Sequence, residues 1–570
     1  MDAPRAVRIV TEVTAVERPF DYLVTDATYQ VALGDRVRVD FNHRSVRGWV
    51  LDEVPVTHAL KPLAKWLGYG PPPSELGLLR WAAQRWYGSL SRFLLAASPR
   101  RLVTSLPTAP PCEPLALSVR PAGALPPPGA LQVSPSTDPL ELVLSVYEAT
   151  RERDGSLLVL VPTEAWAARL RGRLEQRGCA VASGESQWDR MRAGWPVVVG
   201  ARGASLAPVP RVCAAVIVDA DDEAFRSEAT PTWHALGMLR ERCRRDEAPL
   251  WSTSMLPSPE LVGLDGYQRL GDIAAGWARI DVVDRRRSDP HDGVLSREAL
   301  DAAHAALAGP EAVAVVVVLH RLGRGRLFAC QRCGELARCA TCGQAEQEDG
   351  ELLACAECLL ARAAFCRSCG ATGLKRVRVG VSTLARDVAA QLSQLVTEVT
   401  AASDVALPLA RVVVGTEAVW QRVRRCGVVI FADFDQYLLA PRSSARREAI
   451  VAVGKASRLV GARGASRGSV VLQTRRGEDP VVTALRDGVF EAIVADDVEV
   501  ARLLELAPFG ATATVTGPGA SEFVAGLDER DVTVEKSTDG FTLRARDVDV
   551  LATALRATPR PAQRLRVALD

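Results

Sequence analysis

Four Cys-x-x-Cys pairs within forty residues constrain the fold of this chain more than any other feature. Eight of the thirteen cysteines belong to them: Cys330/Cys333, Cys339/Cys342, Cys355/Cys358 and Cys366/Cys369. Zinc takes four thiolates in a tetrahedral structural site, and two such pairs supply four. We therefore predict two structural Zn²⁺ ions per chain, in closed sites without an open catalytic position. Sequential, interleaved and nested pairings of the four knuckles all satisfy this prediction.

The composition excludes several classes of protein. With 70 Lys and Arg against 68 Asp and Glu, the net charge of +2 rules out a uniformly basic nucleic-acid coat, while local basic faces remain possible. The opening "MDAPRAVRIVTEV" interrupts its apolar residues with charge, and the longest apolar run, residues 311–320, is too short to span a bilayer. We expect a cytoplasmic protein with no membrane segment, whose thiols are reduced and available to a metal rather than paired in disulfides.

Buried β-strand patterns alternate with helical patterns on both sides of the cysteines. The strand-like runs upstream are "GSLLVLVP", "WPVVVGAR" and "RVCAAVIVDADD", and those downstream are "ARVVVGTE", "GVVIFADF" and "GSVVLQT". Such runs, separated by amphipathic helices, are typical of parallel sheets covered by helices. The sequence therefore predicts a multidomain α/β chain with two parallel lobes, the second carrying the cysteine module as an insertion.

The first hundred residues predict a separate β-rich domain. In "DRVRVDF" the side chains of Val37, Val39 and Phe41 alternate with those of Arg36, Arg38 and Asp40, and "VRGWVLDEV" predicts a partner strand. A small barrel or sandwich is expected. The following "ELGLLRWAAQRWYGSLSRFLLAA" predicts one helix, whose aromatic residues we assign to the core rather than to base stacking.

Several stretches together resemble one protein family, the bacterial replication restart protein PriA (primosomal protein N-prime). They are "RPFDYLV", "GDRVRVDF", "VVVGARGASLAP", "VGTEAV", "LGRGRLFACQRCGELARCATCG" and "ELAPFG", and the resemblance covers nearly the whole chain. It implies two lobes of a superfamily 2 helicase motor, a double zinc ribbon inserted in the second lobe, and an N-terminal domain that grips the 3′ end of the nascent leading strand at a fork.

The resemblance also implies roles for individual residues. The 3′-end pocket would use Phe20, Asp21 and Lys61, which provide an aromatic face, an acceptor for the 3′ hydroxyl and a cation near phosphate. The zinc pairs would be nested. One ion would then bind Cys330, Cys333, Cys366 and Cys369, and the other Cys339, Cys342, Cys355 and Cys358.

The phosphate cradle of such a motor is missing from the sequence. A P-loop supplies glycine amides and a lysine to the nucleotide phosphates. Residues 134–139 read "SPSTDP" at that place, so prolines remove amide donors and Asp138 would repel phosphate. The chain's one Gly-Lys pair, Gly454-Lys455, lacks the rest of the pattern. ATP and Mg²⁺ are therefore doubtful as cofactors.

Two further motor elements are also eroded. The strand "VIVD" keeps Asp219 as a remnant, but Ala220 replaces the water-polarising glutamate, and we interpret Asp219, Asp221 and Asp222 as a solvated acidic loop. The late helix holds Lys455, Arg458 and Arg463 without the family's arginine-finger pattern. We expect no catalytic residues and no ATP-driven unwinding.

The sequence predicts five segments along the chain. They are a 3′-end DNA-binding domain (1–105), a Pro-rich linker (106–130), a degenerate helicase-like lobe (131–285), a second lobe (286–490) with the zinc insertion at 326–376, and a small C-terminal α+β domain (491–570). Family members often carry a winged-helix domain at the linker, and this chain has no room for one.

Three functional hypotheses follow. The favoured one is a fork-binding adaptor that promotes primosome assembly and reloading of the replicative helicase, without helicase activity of its own. The resemblance implies forked and single-stranded DNA, primosome components, the replicative helicase and single-strand-binding protein as partners, at the nucleoid. An ATP-dependent 3′-to-5′ translocase with an unconventional nucleotide site is the alternative. A zinc-ribbon protein of transcription or translation would leave the N-terminal domain and the lobes unexplained.

Overall fold

The computed structural model describes residues 5–13, 18–41, 43–56, 60–116, 118, 123–263, 266–288, 292–320, 328–341, 345–349, 352–355, 358, 360–376, 380–403, 409–440, 444–528, 530–537 and 540–569. These residues form two compact units. The first unit contains residues 1–131, 138–268 and 496–570, and the second contains residues 132–137 and 269–495. Among the described residues, no helix is long and apolar enough to cross a bilayer.

The N-terminal domain is a six-stranded sheet followed by two helices. Its elements are β1 (Ala6–Thr11), β2 (Phe20–Leu23), β3 (Arg36–Phe41), β4 (Arg44–Val54), β5 (Lys61–Pro62), β6 (Lys65–Gly68), α1 (Pro73–Arg85) and α2 (Leu90–Ala97). The strand order is β5-β2-β1-β4-β3-β6. Val37 and Val39 are fully buried, so the alternation predicted for β3 is confirmed at these positions.

Two details of this domain differ from the prediction. Arg36 is buried at 3% exposure, and its guanidinium donates to the carbonyl of Pro99 at 2.7 Å, whereas the pattern placed it with the polar face. The predicted single helix is two helices, separated at Trp86–Ser89, where Tyr87 has a φ of +48°. The break lets Trp86 and Phe93 both enter the core, at 5% and 1% exposure, which confirms their assignment as core residues.

The first lobe contains a seven-stranded sheet with helices. Its elements are β7 (Gly129–Val133), α3 (Pro139–Thr150), β8 (Ser156–Leu160), α4 (Glu164–Gln176), β9 (Val181–Ala182), α5 (Trp188–Arg192), β10 (Val197–Gly200), β11 (Val212–Ile217), α6 (Ala235–Asp246), β12 (Leu250–Ser254), α7 (Pro259–Val262) and β13 (Gln268–Leu270). The order is β13-β7-β12-β11-β8-β10-β9. The pairings of β8, β10 and β11 are parallel, and every residue of these strands is buried. The predicted parallel lobe is confirmed.

The second lobe, in the second unit, has a six-stranded sheet. Its elements are β14 (Arg279–Asp284), α8 (Arg297–Leu307), β15 (Val315–Val318), α9 (Val381–Leu392), β21 (Val396–Val399), β22 (Val412–Gly415), α10 (Val419–Arg422), β23 (Val428–Phe431), α11 (Asp435–Leu438), α12 (Ala445–Val460), β24 (Ser469–Thr474), α13 (Pro480–Asp487) and α14 (Glu491–Leu503). The order is β14-β24-β23-β15-β22-β21, and the pairings are parallel. The runs of valine and isoleucine are therefore buried on both faces, as parallel sheets require.

The cysteine module lies in the chain between β15 and α9. It contains two small antiparallel sheets, built from β16 (Phe328–Cys330), β17 (Glu346–Asp349), β18 (Leu352–Cys355), β19 (Ala361–Ala363) and β20 (Leu374–Arg376). Few apolar side chains are buried in it, chiefly Phe328, Leu336 and Leu353. A core this small needs cross-links or metal to hold its shape.

The C-terminal domain packs against the N-terminal helices within the first unit. Its elements are β25 (Ala511–Thr516), α15 (Ala520–Ala525), β26 (Thr533–Ser537), β27 (Gly540–Ala545), α16 (Val548–Ala557) and β28 (Arg566–Leu569), with the sheet order β26-β27-β25-β28. One hydrophobic cluster joins Leu79 and Phe93 to Phe523, Leu543 and Leu555. The two ends of the described chain therefore share a core.

Candidate metal centres and DNA-end site

The first and last cysteine pairs come together in the structure. The sulfur atoms of Cys330, Cys333, Cys366 and Cys369 all lie within 4.8 Å of one another. The Sγ atoms of Cys330 and Cys369 are 3.5 Å apart, as are those of Cys333 and Cys366. A disulfide would need about 2.05 Å, whereas a tetrahedral zinc with bonds of about 2.3 Å places sulfurs about 3.8 Å apart. This donor set fits a structural zinc ion.

The backbone around these sulfurs has the knuckle geometry. Gly334 and Gly370 follow their pairs with φ values of +74° and +71°, which favour glycine. The amide of Arg332 donates to the sulfur of Cys330 at 3.4 Å. Burial raises the pKa of the Cys330 thiol, but hydrogen bonds from the backbone amides of Cys333 and Arg332 and from the thiols of Cys369 and Cys333 together lower the pKa to about 7. Thiolate is the form that binds metal, so these amides prepare the site.

Three cysteines of the two inner pairs form the second cluster. The sulfurs of Cys339, Cys355 and Cys358 lie within 4.8 Å of one another, and the amide of Cys358 donates to the sulfur of Cys355 at 3.4 Å. Cys342, predicted as the fourth ligand, lies outside the described residues, as does Gly343. The described ligands match the nested arrangement, because neither cluster mixes outer and inner pairs.

A buried ion pair that the sequence did not predict braces the module. Glu346, at 2% exposure, accepts from Nε of Arg362 at 2.9 Å and also from Nη2. Arg362 donates in addition to the carbonyls of Ala363 and Phe365. A single arginine thus ties β17 to the segment that leads into Cys366. The sequence gives no signal for this pairing, because sixteen residues separate the two partners.

The three residues predicted for the DNA 3′ end lie on neighbouring strands. Phe20 and Asp21 open β2, and Lys61 opens β5, where it pairs in register with Tyr22. Lys61 is exposed and Phe20 is half-buried. The structure therefore brings an aromatic ring, a carboxylate and a cation to one edge of the N-terminal sheet. Their role in binding stays a prediction.

Two arginines that the sequence did not single out complete this edge. Arg8 on β1 faces Asp21 across the strand pair and donates to both of its carboxylate oxygens, at 2.9 and 3.1 Å. Arg18 lies over the ring of Phe20 at 5.2 Å, and Phe41 packs against the same ring at 4.9 Å. A carboxylate has about four acceptor positions, so Asp21 is oriented by Arg8 while keeping acceptor capacity.

Residues 134–139, where the phosphate cradle is missing, are all described, and Asp138 among them caps the N-terminus of α3. Asp138 accepts from the amide of Leu140 at 3.0 Å, and Pro139 is the first residue of α3. Arg173 on α4 pairs with the same carboxylate, with Nη1 at 2.9 Å from Oδ1. Since a phosphate cradle uses the free amides of a helix N-terminus, a carboxylate cap at that position competes with phosphate.

The acidic remnant of the motor differs from the prediction. Asp219 is buried at 5% exposure, so its interpretation as part of a solvated loop is wrong for this residue. Its φ is +53°, and its amide donates to the hydroxyl of Thr253 at 3.3 Å. Asp221 accepts from Ser258, and Asp222 caps a short turn by accepting from the amide of Ala224 at 2.9 Å. Turn contacts bury Asp219, whereas Asp221 and Asp222 stay half-buried, and the charge pattern alone did not indicate this difference.

The basic residues of the late helix are placed within the second unit. Nε of Arg458 on α12 donates to the carbonyl of Pro135 at 3.1 Å. Arg463 follows the helix, and its guanidinium donates to the carbonyl of Arg486 at 3.0 Å. Lys455 also lies on α12. Carbonyl contacts of this kind stabilise the fold.

Comparison with known proteins finds similarity to PriA proteins, first in the N-terminal domain. Residues 8–99 match the family model of the 3′ DNA-binding domain of PriA. The replication restart protein PriA of Synechocystis is 23% identical over 487 residues, which covers 75% of this chain. The match spans only about half, 56%, of the relative's own length.

Solved structures of helicases give weaker likenesses. RecG bound to a three-way DNA junction has a TM-score of 0.37 at 12% identity, and covers 65% of this chain and 44% of that one. The Mycobacterium smegmatis helicase Lhr, bound to single-stranded DNA and AMP-PNP, has a TM-score of 0.35 at 13% identity, with coverage of 75% and 57%. TM-scores this low do not identify a fold, and the fold of this chain is assigned from the strand order and pairing described above. The N-terminal residues 8–99 therefore match a 3′ DNA-binding domain model, and the chain is similar over 75% of its length to a replication restart protein PriA.

Proposed function

We propose that this protein is a replication restart adaptor that binds abandoned or stalled forks at the 3′ end of the leading strand. The observation that carries the proposal is the match of residues 8–99 to the 3′ DNA-binding domain, within which Phe20, Asp21 and Lys61 occupy neighbouring strands. An aromatic ring stacks on a terminal base, a carboxylate accepts from its 3′ hydroxyl, and a lysine attracts phosphate.

We further propose that the protein promotes primosome assembly and reloading of the replicative helicase at the nucleoid. Its partners would be primosome components, the replicative helicase and single-strand-binding protein. The similarity to a replication restart protein supports this proposal. The two cysteine clusters would hold two structural zinc ions, and the module they stabilise would provide a docking surface for these partners or for single-stranded DNA.

Capping the 3′ end tests the proposed pocket. We expect a fork whose leading strand ends in 3′ phosphate to bind about tenfold more weakly than the same fork with a 3′ hydroxyl, because the hydroxyl's bond to the Asp21 carboxylate is lost and like charges approach. Fluorescence anisotropy at fixed salt measures both affinities. Asp21→Asn should reduce the difference between the two forks, whereas Asp26→Asn, at an exposed carboxylate of the same domain, should preserve it. Equal binding of both forks by the unaltered protein would contradict the pocket.

The adaptor proposal also predicts the absence of ATP turnover. Zinc-loaded protein should show no ATP hydrolysis above background, with or without a fork, because Asp138 caps the helix at the place of the phosphate cradle. Steady-state phosphate release measures this, alongside fork binding in the same buffer. Fork-stimulated turnover that Asp219→Asn abolishes would instead establish the alternative, an ATP-dependent translocase with an unconventional nucleotide site.

A further inference from the structure

A cleft of about 360 Å³ opens in the cysteine module between the two clusters. The cleft is lined by residues 335–340 and 366–368, together with Arg362 and Leu374. Cys339 of one cluster and Cys366 of the other both line the cleft. Its shape therefore depends on both clusters at once.

The charged residues that line the cleft are mostly basic. Among the described lining residues, they are Arg338, Arg362 and Arg367 together with Glu335. Arg362 is committed to the buried Glu346, and Arg338 lies 3.3 Å from Glu335. The side chain of Arg367 is 44% exposed. Its guanidinium lies 4.0 Å from the Glu346 carboxylate, which is too far for a hydrogen bond, so its N–H donors can face solvent.

An aromatic ring stands beside this cleft in a fixed orientation. Phe365 is 41% exposed, which is unusual for so large an apolar side chain. The guanidinium of Arg362 lies 5.6 Å from its ring centre and donates to its carbonyl, while Glu346 holds the same guanidinium from the other side. The ring is thus held by a buried ion pair.

We propose that Phe365 and the adjoining cleft bind single-stranded nucleic acid. One base stacks on the exposed side of the Phe365 ring, and a neighbouring phosphate is bound by Arg367 at the mouth of the cleft. This inference rests on the proposed function only in taking DNA as the single strand that is bound in the cell. It adds the position of the binding site within the cysteine module.

Charge and geometry favour a nucleic acid over an acidic peptide. A rigid exposed aromatic residue flanked by arginines binds any base through its π face and any phosphate through its guanidinium groups. The exposed guanidinium of Arg367 can pair with the regular negative charge of a strand. An acidic peptide would pair with Arg367 but present no base to the Phe365 ring.

Binding to a circular oligothymidylate tests this site without using the 3′-end pocket, because a circle has no ends. With zinc-loaded full-length protein, Phe365→Ala should weaken binding to the circle by about tenfold, and Phe365→Trp should keep it and show tryptophan quenching on binding. Leu395→Ala, at a residue that is 86% exposed in the second lobe, should change nothing. Zinc content, measured for every variant, confirms that the module is folded.

The phosphate contact has its own signature. Arg367→Gln should reduce the slope of log K against log salt concentration by about 0.7, the value for one phosphate contact with a single strand. Arg279→Gln, whose side chain is 61% exposed at the amino end of β14, should leave the slope unchanged. Equal binding of the circle by Phe365→Ala and unaltered protein, at full zinc content, would overturn the proposal and assign this face to protein contacts. Loss of the 3′-capping effect alone would overturn the 3′-end pocket and leave this site standing.

Discussion

Replacing Cys366 by serine should leave the purified protein with one zinc ion per chain instead of two. The four sulfurs of Cys330, Cys333, Cys366 and Cys369 lie within 4.8 Å of one another, and a serine hydroxyl is a poor ligand for a closed thiolate site. Structural zinc contributes about 10–16 kcal/mol in small zinc modules, so the effect on this module should be large. Metal analysis of dialysed protein gives the stoichiometry directly.

A double variant distinguishes nested pairing from sequential and interleaved pairing. If the outer pairs share one ion, Cys330→Ser together with Cys366→Ser should remove the same ion as either change alone, and one zinc should remain. Sequential or interleaved pairing would place these residues in different sites, and the double variant would then lose both ions. Cys426→Ser, at a buried cysteine outside the clusters, should retain two. Two ions bound by the Cys366→Ser protein would contradict the site itself.

The sequence predicted the strands of both lobes well, because the pattern that identifies each strand lies within a few consecutive residues. Each run such as "VVVG" at Val197–Gly200 carries its own pattern, since a strand buried on both faces is apolar at every position. The cysteine knuckles are local for the same reason, as the spacing within each pair is fixed by a turn. Which knuckles pair is not local, and the nested arrangement came from the family resemblance rather than from the spacing.

The features that sequence reasoning missed join distant parts of the chain. The core shared by Phe93 and Phe523 brings together the N-terminal and C-terminal domains, and no periodicity predicts which apolar faces will meet. The bidentate bond from Arg8 to Asp21 depends on strand register, which is set only when β1 and β2 pair. A buried arginine such as Arg36 is indistinguishable in sequence from its exposed neighbour Arg38.

The second large effect should come from a buried ion pair in the first unit. Arg242 on α6 and Glu75 on α1 are each 3% exposed, and Nη2 of the arginine lies 2.6 Å from Oε1 of the glutamate. The same guanidinium donates to the carbonyls of Ala207 at 2.8 Å and Val209 at 3.0 Å. Burial raises the pKa of Glu75, and the Arg242 guanidinium beside it lowers that pKa again, so the ionised form of Glu75 depends on this arginine.

Arg242→Met should therefore destabilise the protein severely. The change leaves a desolvated carboxylate and several carbonyls without their donor, at a cost of about 3–5 kcal/mol. For a unit of this size we expect a fall in melting temperature of about 5 °C, measured by differential scanning calorimetry. Adding Glu75→Leu should recover part of the loss, because the uncompensated carboxylate is then removed while the unpaired carbonyls remain.

Arg244→Met provides the matched control on the same helix. Arg244 is 70% exposed and pairs with Glu241 at 2.8 Å, and an exposed pair of this kind contributes less than about 1 kcal/mol. The two variants remove the same charge from α6 and differ in the burial of the pair. Similar melting temperatures for Arg242→Met and Arg244→Met would mean that water reaches Glu75 and that α1 is not fixed to α6 by this contact. A large difference would show that the buried guanidinium of Arg242 is one of the contacts that fix the N-terminal domain to the first lobe.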